Sequence, residues 1–405
     1  MEIVAGADTP EQPVTTSTMT RQLYAIPFVL SLIMISCTYW SVDIVSPALP
    51  DMQDSLELSA ASVGLIYSFL FLGRLIGNFP AAYLMGRIGT TGTAFAGGLV
   101  LIAGSLSGSI ASSGLWMTPA RLLQGVGIAF LVNACLRAIM GARPGRGAAM
   151  TYFSFAATAG GLLGLQTGGY LTEEMGWRSV FVMSAVIASV ITVTALAARI
   201  TARRAGGPYD LAPVRHIETE GKAGSLVPPL IFNFLIFFNY SLFVALPLYT
   251  EQVFDASPET NARLLMVITI VHLLGAFPAG RLIRSWGAQK SLVAGMVVSL
   301  VGTALIFPAS SPFVIAFPLV LYGLGQVSAS SAGGDIVLHL GGQSAKAVGM
   351  VRFSSDLGLV LGPYVTGVVS DSFGYRAPFV ALPIMMVIAS FFALQQALSA
   401  GDRRV

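Results

Sequence analysis

The sequence predicts an all-α integral membrane protein in which twelve transmembrane helices form two parallel six-helix repeats. Of the 405 residues, 55% are hydrophobic and only 10% are charged, whereas a soluble globular protein carries about 25% charged residues. Apolar stretches of the roughly 18 residues that a helix needs to cross a bilayer follow one another along the chain. Lipid offers no partners to backbone polar groups, so such stretches must be helices or a closed barrel. The period-two alternation of a barrel is absent, which leaves a helical bundle.

Twelve apolar stretches, separated by short polar connections, are predicted to span the membrane. The one long polar connection, residues 200–225, is predicted to be a cytoplasmic linker between two bundles, residues 22–199 and 226–398. The ends of the chain, residues 1–21 and 399–405, are expected to be cytoplasmic tails, the first of them disordered. The predicted spans lie near residues 22–48, 60–83, 90–111, 115–138, 147–170, 178–199, 226–249, 260–283, 289–309, 312–338, 346–369 and 375–398.

Basic residues are concentrated on one side of the predicted membrane. Of the 22 Lys and Arg residues, sixteen lie on the side that holds both termini and three lie on the opposite side. Positively charged loops stay in the cytoplasm during insertion. Both termini are therefore predicted to be cytoplasmic, and we expect a multi-pass protein of a bacterial-type inner (plasma) membrane.

The two halves of the sequence repeat each other at an offset of 198 residues. Residues 73–92 read GRLIGNFPAAYLMGRIGTTG, and residues 271–290 read VHLLGAFPAGRLIRSWGAQK. Two further helix pairs match in the same register: residues 164–181 with 362–379, and Gly125 and Gly127 with Gly323 and Gly325. One register for three helix pairs indicates duplication of a six-helix unit. Parallel repeats around a central site are one plan of secondary transporters.

Three motifs resemble those of the major facilitator superfamily, and within it those of the twelve-span drug:proton antiporter group. Residues 121–127, RLLQGVG, match the RxxQGxG element of that group, whose arginine is implicated in proton coupling. Residues 160–169, GGLLGLQTGG, are similar to the antiporter signature GxxxGPxxGG, and a familiar GWR follows at residues 176–178. Residues 84–89 lie where the superfamily has its cytoplasmic GxLaDRxGRR loop. The resemblance extends over essentially the whole chain after residue 20 and implies a transporter that works by alternating access.

The sequence departs from these motifs at four positions. Leu165 replaces the proline of the antiporter signature, and Gly86 stands where the cytoplasmic loop has its aspartate. Thr90 and Thr91 stand where that loop has arginines. The charge network that closes the inner side of relatives is therefore not expected to be present in the same form.

Glycines on the fifth span form a stripe on one helix face. Gly160, Gly164 and Gly168 are spaced by four residues, and Gly169 completes the signature. Small residues at this spacing let a neighbouring helix approach closely. Two interpretations remain open: close packing alone, or a contact that prevents leakage while the two halves rock.

Asp43 and Arg121 are predicted to form the proton-coupling pair. Ionisable residues inside spans are costly and usually face a cavity or the bundle interior. From the helix rise, Asp43 lies about 8 Å and Arg121 about 9 Å below the outer ends of their spans. An adjacent cation favours the ionised carboxylate and burial favours the neutral acid, so movement of Arg121 would change the proton affinity of Asp43. The alternative is a static ion pair that only stabilises the packing.

Arg74 and Asp356 are predicted to form a gate between the two halves, in which they approach each other when the cytoplasmic side is closed. They lie at similar depths on spans two and eleven, which meet across the halves in the superfamily that the sequence resembles. Asp356 is also a candidate for proton coupling. Arg352 lies one helical turn from Asp356, so an intrahelical pair between these two is an equally open alternative.

His272 occupies the position of Arg74 in the second repeat and could titrate near neutral pH. A packed, hydrogen-bonded histidine is the alternative. Polar and aromatic residues on other spans are further candidates for a substrate cavity. These candidates are Tyr39, Trp40, Gln124, Asn133, Gln166, Asn239 and Tyr240.

The sequence contains no nucleotide-binding GxxxxGK[ST] loop, no HExxH and no CxxC pair. An enzyme, a metal site and a cofactor are therefore not expected, and the basic loops are explained by membrane insertion without nucleic acid. The sequence predicts a secondary active transporter for proton-coupled efflux of a small amphipathic or hydrophobic compound. Its expected partners are that substrate, protons and the lipid bilayer, and a functional monomer is expected. The alternatives are a proton-coupled importer or facilitator of a nutrient, such as a sugar or organic acid, and a transporter-like sensor without flux.

Overall fold

The computed structural model describes residues 18–142, 146–204, 226–341 and 345–402, and all regular secondary structure within these ranges is helical. Single 3-10 turns lie at Ser46–Ala48 and Asn239–Ser241. The α-helices are α1 (Thr18–Asp43), α2 (Leu49–Ser55), α3 (Ala60–Ser109), α4 (Gly114–Ala142), α5 (Arg146–Met175), α6 (Arg178–Arg204), α7 (Val227–Phe238), α8 (Leu242–Phe254), α9 (Pro258–Trp286), α10 (Ala288–Ala304), α11 (Pro312–Gly341), α12 (Ala345–Phe373) and α13 (Pro378–Asp402).

The count of twelve spans stays a prediction, and the helices differ from the predicted spans at three places. The second and third spans are one 50-residue helix, α3, which bends at Gly89 and is long enough to cross a bilayer twice. The seventh span is divided between α7 and α8 by the 3-10 turn at Asn239–Ser241. The first helix begins at Thr18 rather than at residue 22, and most of the predicted tails and linker lies outside the described residues. By length and composition, seven helical segments of the described chain can span a membrane.

Four glycines with positive φ mark equivalent positions in the two halves. Gly89 (φ 76°) and Gly287 (φ 84°) are 198 residues apart, as are Gly176 (φ 78°) and Gly374 (φ 87°). Glycine adopts this region without the steric penalty of other residues. Gly287 separates α9 from α10, as Gly89 separates the two spans of α3. The turns therefore follow the sequence repeat.

Helix packing also follows the repeat. A Cβ atom on Gly97 would lie 2.9 Å from the carbonyl oxygen of Gly127, and one on Gly295 would lie 2.8 Å from that of Gly325. These contacts join α3 to α4 in one half and α10 to α11 in the other. Both pairs are related by the offset of 198 residues. The all-α fold with two parallel repeats, predicted from the sequence, is confirmed.

The two halves meet at the end of the bundle opposite the chain termini, here called the outer end. Gly367 of α12 packs against the backbone of Ala60 at the start of α3. The equivalent Gly169 of α5 packs against the backbone of Pro258 at the start of α9. These two contacts, together with the hydrogen bonds beside them, are here called the outer seal.

Two carboxylates complete the outer seal by accepting hydrogen bonds from helix N-termini of the opposite half. Asp371 accepts from the backbone N–H groups of Ala60 at 2.8 Å and Ala61 at 2.9 Å. The equivalent Glu173 accepts from the N–H of Glu259 at 3.1 Å. The first N–H groups of a helix have no intrahelical acceptor, and a negative charge is favourable there. The seal therefore joins the two halves at the outer end.

Candidate substrate cavity between the two halves

A cavity of about 370 Å³ lies between the two halves and is lined by side chains of both. Seven pairs of its lining residues are 198 positions apart, so the cavity lies on the axis that relates the repeats. These pairs are Tyr39 and Phe237, Val42 and Tyr240, Phe71 and Thr269, Arg74 and His272, Ala157 and Ser355, Thr158 and Asp356, and Gly161 and Leu359.

Arg74 and Asp356 form an ion pair that crosses the cavity from one half to the other. The Arg74 Nε donates to Asp356 Oδ1 at 3.0 Å, and Arg74 Nη2 donates to the same oxygen. Asn78, one turn beyond Arg74 on α3, donates to Asp356 Oδ2 at 3.3 Å. The structure thus brings together the two residues of the predicted gate. Sequence reasoning missed Asn78, although its spacing from Arg74 places both residues on one helix face.

Arg352 extends this network without pairing with Asp356. Its Nη1 donates to Asn133 Oδ1 at 2.9 Å, and Asn133 Nδ2 donates to Asn78 Oδ1 at 2.7 Å. In the described chain, the intrahelical ion pair between Arg352 and Asp356 is not formed. The carboxylate of Asp356 is instead used by the opposite half. The predicted cavity residue Asn133 takes part through this hydrogen-bond network.

Asp43 presents an unpaired carboxylate to the cavity. It lines the cavity from the end of α1, and its side chain has no hydrogen bond or ion pair within the described ranges. A Cβ on Gly161 of α5 would lie 2.5 Å from Asp43 Oδ2. Glycine at this position therefore makes room for the carboxylate. Arg74 lines the same cavity as Asp43.

The predicted pair of Asp43 with Arg121 is not formed. Arg121 is fully buried and donates from Nη1 to Gln124 Oε1 at 2.8 Å. Gln124 in turn donates to Ser105 at 2.9 Å, so Arg121 and Gln124 belong to a network inside the first half. The ring of Tyr67, 5.9 Å from Arg121 Cζ, lies on the cavity wall. The helix rise predicts the depth of Arg121 but not the direction in which its side chain points.

Other predicted cavity residues divide into two groups. Tyr39, Tyr240 and His272 line the cavity, whereas Trp40, Gln124, Gln166 and Asn239 do not line it in this structure. Trp40 donates from its indole N–H to Thr167 at 2.8 Å, and Asn239 is buried and donates to Ser299 at 3.1 Å. Gln166 is exposed away from the cavity. Each helix turns only one face to the cavity, and residue type alone does not identify that face.

Aromatic side chains form much of the apolar surface of the cavity. Phe237, Tyr240 and Phe243 are stacked in series, with ring centroids 5.6 Å and 5.7 Å apart and interplanar angles of 13° and 18°. The hydroxyl of Tyr240 lies 3.3 Å from His272 Nδ1. On the opposite wall, Tyr39 packs edge to face with Phe153 at 6.2 Å. Such surfaces accept a flat apolar body.

The glycine stripe of α5 packs mainly within its own half. Gly160, Gly164 and Gly168 lie against the backbone of the first helix and the turn that follows it. Gly169 alone of the four faces the other half, at α9. The close-packing interpretation therefore describes the geometry of the first three glycines, and Gly169 belongs to the outer seal.

Two helical repeats around a shared central cavity define the chain as a protein of the secondary-transporter class. A sequence profile of the Major Facilitator Superfamily matches residues 31–342 and 229–399. The chain belongs to this superfamily, as the motifs indicated. It is a multi-pass membrane transporter for small molecules, not an enzyme.

Relatives and solved structures agree with this assignment. The multidrug resistance protein MdtG of Dickeya zeae (strain Ech586) is 28% identical over 67% of this chain and 69% of its own length. The multi-drug resistance efflux pump PmrA of Streptococcus pneumoniae serotype 4 (strain ATCC BAA-334 / TIGR4) is 26% identical over 88% of this chain and 92% of its own. The crystal structure of the nucleoside transporter NupG superposes with a TM-score of 0.72 over 92% of this chain and 98% of that structure. At 11% identity, the last similarity concerns the fold alone.

Proposed function

We propose that this protein is a proton-coupled exporter of a small amphipathic compound. It would work by alternating access in a bacterial-type inner membrane, with both termini in the cytoplasm. The observation that supports this most directly is the cavity on the axis between the repeats, where an unpaired carboxylate, Asp43, lies among aromatic walls. The names of the relatives MdtG and PmrA, a resistance protein and an efflux pump, support export.

In this proposal residues 22–199 and 226–398 are the two bodies that move, and residues 200–225 connect them. The outer seal closes one side of the cavity. Opening it would require the carboxylates of Asp371 and Glu173 to leave the opposite helix N-termini. The same cavity would then face alternately one side of the membrane and the other.

Arg74 is the group that we propose to couple proton and substrate. It pairs with Asp356 across the halves and lines the same cavity as Asp43. When Asp43 carries a proton, Arg74 has Asp356 as its ionic partner, and the halves are held together at mid-membrane. When Asp43 is ionised, it competes for Arg74 and weakens the bond between the halves. Proton binding would thus shift the equilibrium between conformations, because the proton binds one conformation more tightly than the other.

The test is transport by purified protein in proteoliposomes. A compound found by thermal stabilisation should move against its gradient when a pH step is applied. We expect Asp43→Asn to abolish this proton-driven accumulation while exchange of substrate at equal pH persists. Asp54→Asn, which changes an exposed carboxylate outside the cavity, should transport normally. If the Asp43→Asn protein still builds a proton-driven gradient, Asp43 has no part in coupling.

A second candidate function is proton-coupled uptake of an organic acid. It is favoured by one observation: Arg352 lines the cavity and has a neutral amide as its hydrogen-bond partner. A protonated Asp43 would leave the cavity with a net positive charge, which favours joint entry of a proton and an anion. Substrate accumulation inside vesicles whose exterior is acidified would support uptake. Binding without any exchange of labelled substrate would support the sensor interpretation instead.

A further inference from the structure

Arg352 is a permanent positive charge at the cavity wall. A guanidinium group is not deprotonated in proteins, unlike a carboxyl or imidazole group, so it cannot become neutral when it leaves water. Charges within a membrane-spanning bundle are costly and are usually paired. A carboxylate in the same position could bind a proton; Arg352 has no such alternative. The groups that bond Arg352 therefore decide whether its charge is balanced within the protein.

The described chain supplies Arg352 with one hydrogen bond, to a neutral group. Of the five N–H donors of a guanidinium, one is used by Asn133 Oδ1 at 2.9 Å. The carboxylate nearest along the helix, that of Asp356, binds Arg74 through Oδ1 and Asn78 through Oδ2. The remaining donors of Arg352 have no acceptor within the described ranges.

In the described chain, neither carboxylate on the cavity wall forms an ion pair with Arg352. Arg74 and Asp356 neutralise each other through their ion pair. Asp43 is the other carboxylate on the wall, and it forms no ion pair with Arg352 in the part of the chain that the structure describes. Asp43 can also be protonated, as the proposed function requires, and then leaves the positive charge of Arg352 without a counter-charge.

The surface beside Arg352 is suited to a flat apolar body. Arg352, Ser355, Asp356 and Leu359 follow the i, i+3, i+4, i+7 spacing that places residues on one face of α12, and all four line the cavity. The stacked rings that begin at Phe237 line the same cavity. A charged group and an aromatic surface thus share one chamber.

We propose that Arg352 is an anion-binding subsite and that the transported compound carries an acidic group, such as a carboxylate or sulfonate, on a flat apolar body. The acidic group would accept charge-assisted hydrogen bonds from the free donors of Arg352. The apolar body would lie against the stacked rings of Phe237, Tyr240 and Phe243. This inference rests on the proposed function only in that the cavity is the substrate site, and it holds for either direction of transport.

The test compares three naphthalene probes of nearly equal size: 2-naphthoate, the neutral 2-naphthamide and the cationic 2-naphthylmethylammonium. Binding to purified full-length protein is measured by titration calorimetry. We expect the unmodified protein to bind the naphthoate about tenfold more tightly than the amide, as a hydrogen-bonded charge pair allows. Arg352→Gln should reduce this preference to less than about twofold. Arg263→Gln, which changes an exposed arginine outside the cavity, should retain it.

A second variant tests the subsite without removing the arginine. Asn133→Asp places a carboxylate where Arg352 now bonds an amide, and it should abolish the preference for naphthoate. Size-exclusion chromatography of both variants checks that they are folded. Equal binding of the acid and the amide, tightest binding of the cation, binding of none of the three probes, or a preference that survives in folded Arg352→Gln would overturn the proposal. Selective naphthoate binding without transport would instead leave the subsite in place and contradict the proposed function.

Discussion

The two halves of the protein share their helix contacts but not their cavity charges. Gly160 packs against the backbone of Ser36, and 198 residues later Gly358 packs against that of Phe234. In both halves the first helix and the fifth span approach so closely that a Cβ atom would meet backbone. A flexible side chain can move aside for a larger neighbour, but a helix backbone cannot do so locally. Positions of close backbone approach therefore remain equivalent in both copies.

The charged residues of the cavity have no charged counterpart in the other copy. The pairs at the offset of 198 residues are Asp43 with Ser241, Arg74 with His272, Arg352 with Ser154, and Asp356 with Thr158. The scaffold is thus symmetric and its chemistry is not. Packing therefore belongs to the repeated unit, whereas charge recognition belongs to single positions. Variants made at equivalent positions of the two halves test this difference.

Among variants at equivalent positions, those at Arg74 and His272 should differ most in the free energy of unfolding. Arg74→Gln leaves Asp356 without its ionic partner, and removal of one member of a buried pair costs about 3 to 5 kcal/mol. Because the side chain of Arg74 is 17% exposed, we expect about 2 to 3 kcal/mol less stability, allowing for solvent screening. His272→Gln removes only the contact with Tyr240 and should cost less than about 1 kcal/mol. The free energy of unfolding in mixed micelles titrated with SDS measures both.

A double variant separates the ion pair from other roles of Arg74. Replacement of both partners, as in Arg74→Gln with Asp356→Asn, removes the uncompensated charge, so much of the lost stability should return. Equal costs for Arg74→Gln and His272→Gln would mean that the two positions are as symmetric as the scaffold.

The features predicted correctly from the sequence depend on the height of a residue along a helix or on a repeated spacing. Arg74 and Asp356 were expected to meet because both lie near mid-membrane on spans that adjoin in the superfamily. The repeat was visible in glycines such as Gly125 and Gly127 because close packing restricts those positions to small residues. The all-helical fold followed from hydropathy, since the backbone must satisfy its own hydrogen bonds in lipid.

The features that sequence reasoning missed depend on the direction of a side chain around its helix. Arg121 is predicted from the helix rise to lie at the depth of Asp43, but its side chain bonds Gln124 inside the first half. Trp40 is a similar case, because its indole bonds Thr167 rather than facing the cavity. Nearly every face of these helices is apolar, so the hydrophobic pattern that reveals the buried face of a soluble helix carries little information here.

Alanine at two matched glycines of the scaffold should lower stability by equal amounts, and by less than Arg74→Gln. Gly97→Ala and Gly295→Ala each place a Cβ within 3 Å of a carbonyl oxygen on the neighbouring helix. Overpacking of this kind costs about 1 to 3 kcal/mol, and we expect about 2 kcal/mol for each variant. Gly349→Ala is the control, because nothing lies within 4 Å of a Cβ there. Thermal unfolding followed by tryptophan fluorescence measures the stability of all three variants. If the stability losses of Gly97→Ala and Gly295→Ala differ by more than the change in Gly349→Ala, the two halves of the scaffold are not equally stable.

The smallest effects are expected at the outer seal, where the two copies differ by a single hydrogen bond. Asp371 accepts from two N–H groups, at Ala60 and Ala61, whereas Glu173 accepts from Glu259 alone. The reason lies in the sequence, because the equivalent of Ala60 is Pro258, which has no N–H. A carboxylate at a helix N-terminus contributes about 0.3 to 1 kcal/mol. Asp371→Asn should therefore weaken the seal more than Glu173→Gln.

The opening of the seal can be followed with Val42→Cys, a cavity position, in a protein whose native cysteines are replaced by alanine. A loss of about 1 kcal/mol corresponds to about fivefold more of the outward-open form, so a membrane-impermeant maleimide added outside should label Asp371→Asn about fivefold faster. Glu173→Gln should accelerate labelling about twofold, and Glu174→Gln, beside the seal, should not change it. Pro258→Ala restores the missing N–H and should slow labelling, because Glu173 then has the same two donors as Asp371. Faster labelling of Pro258→Ala would mean that the fixed φ of proline, rather than the number of hydrogen bonds, determines the strength of this contact.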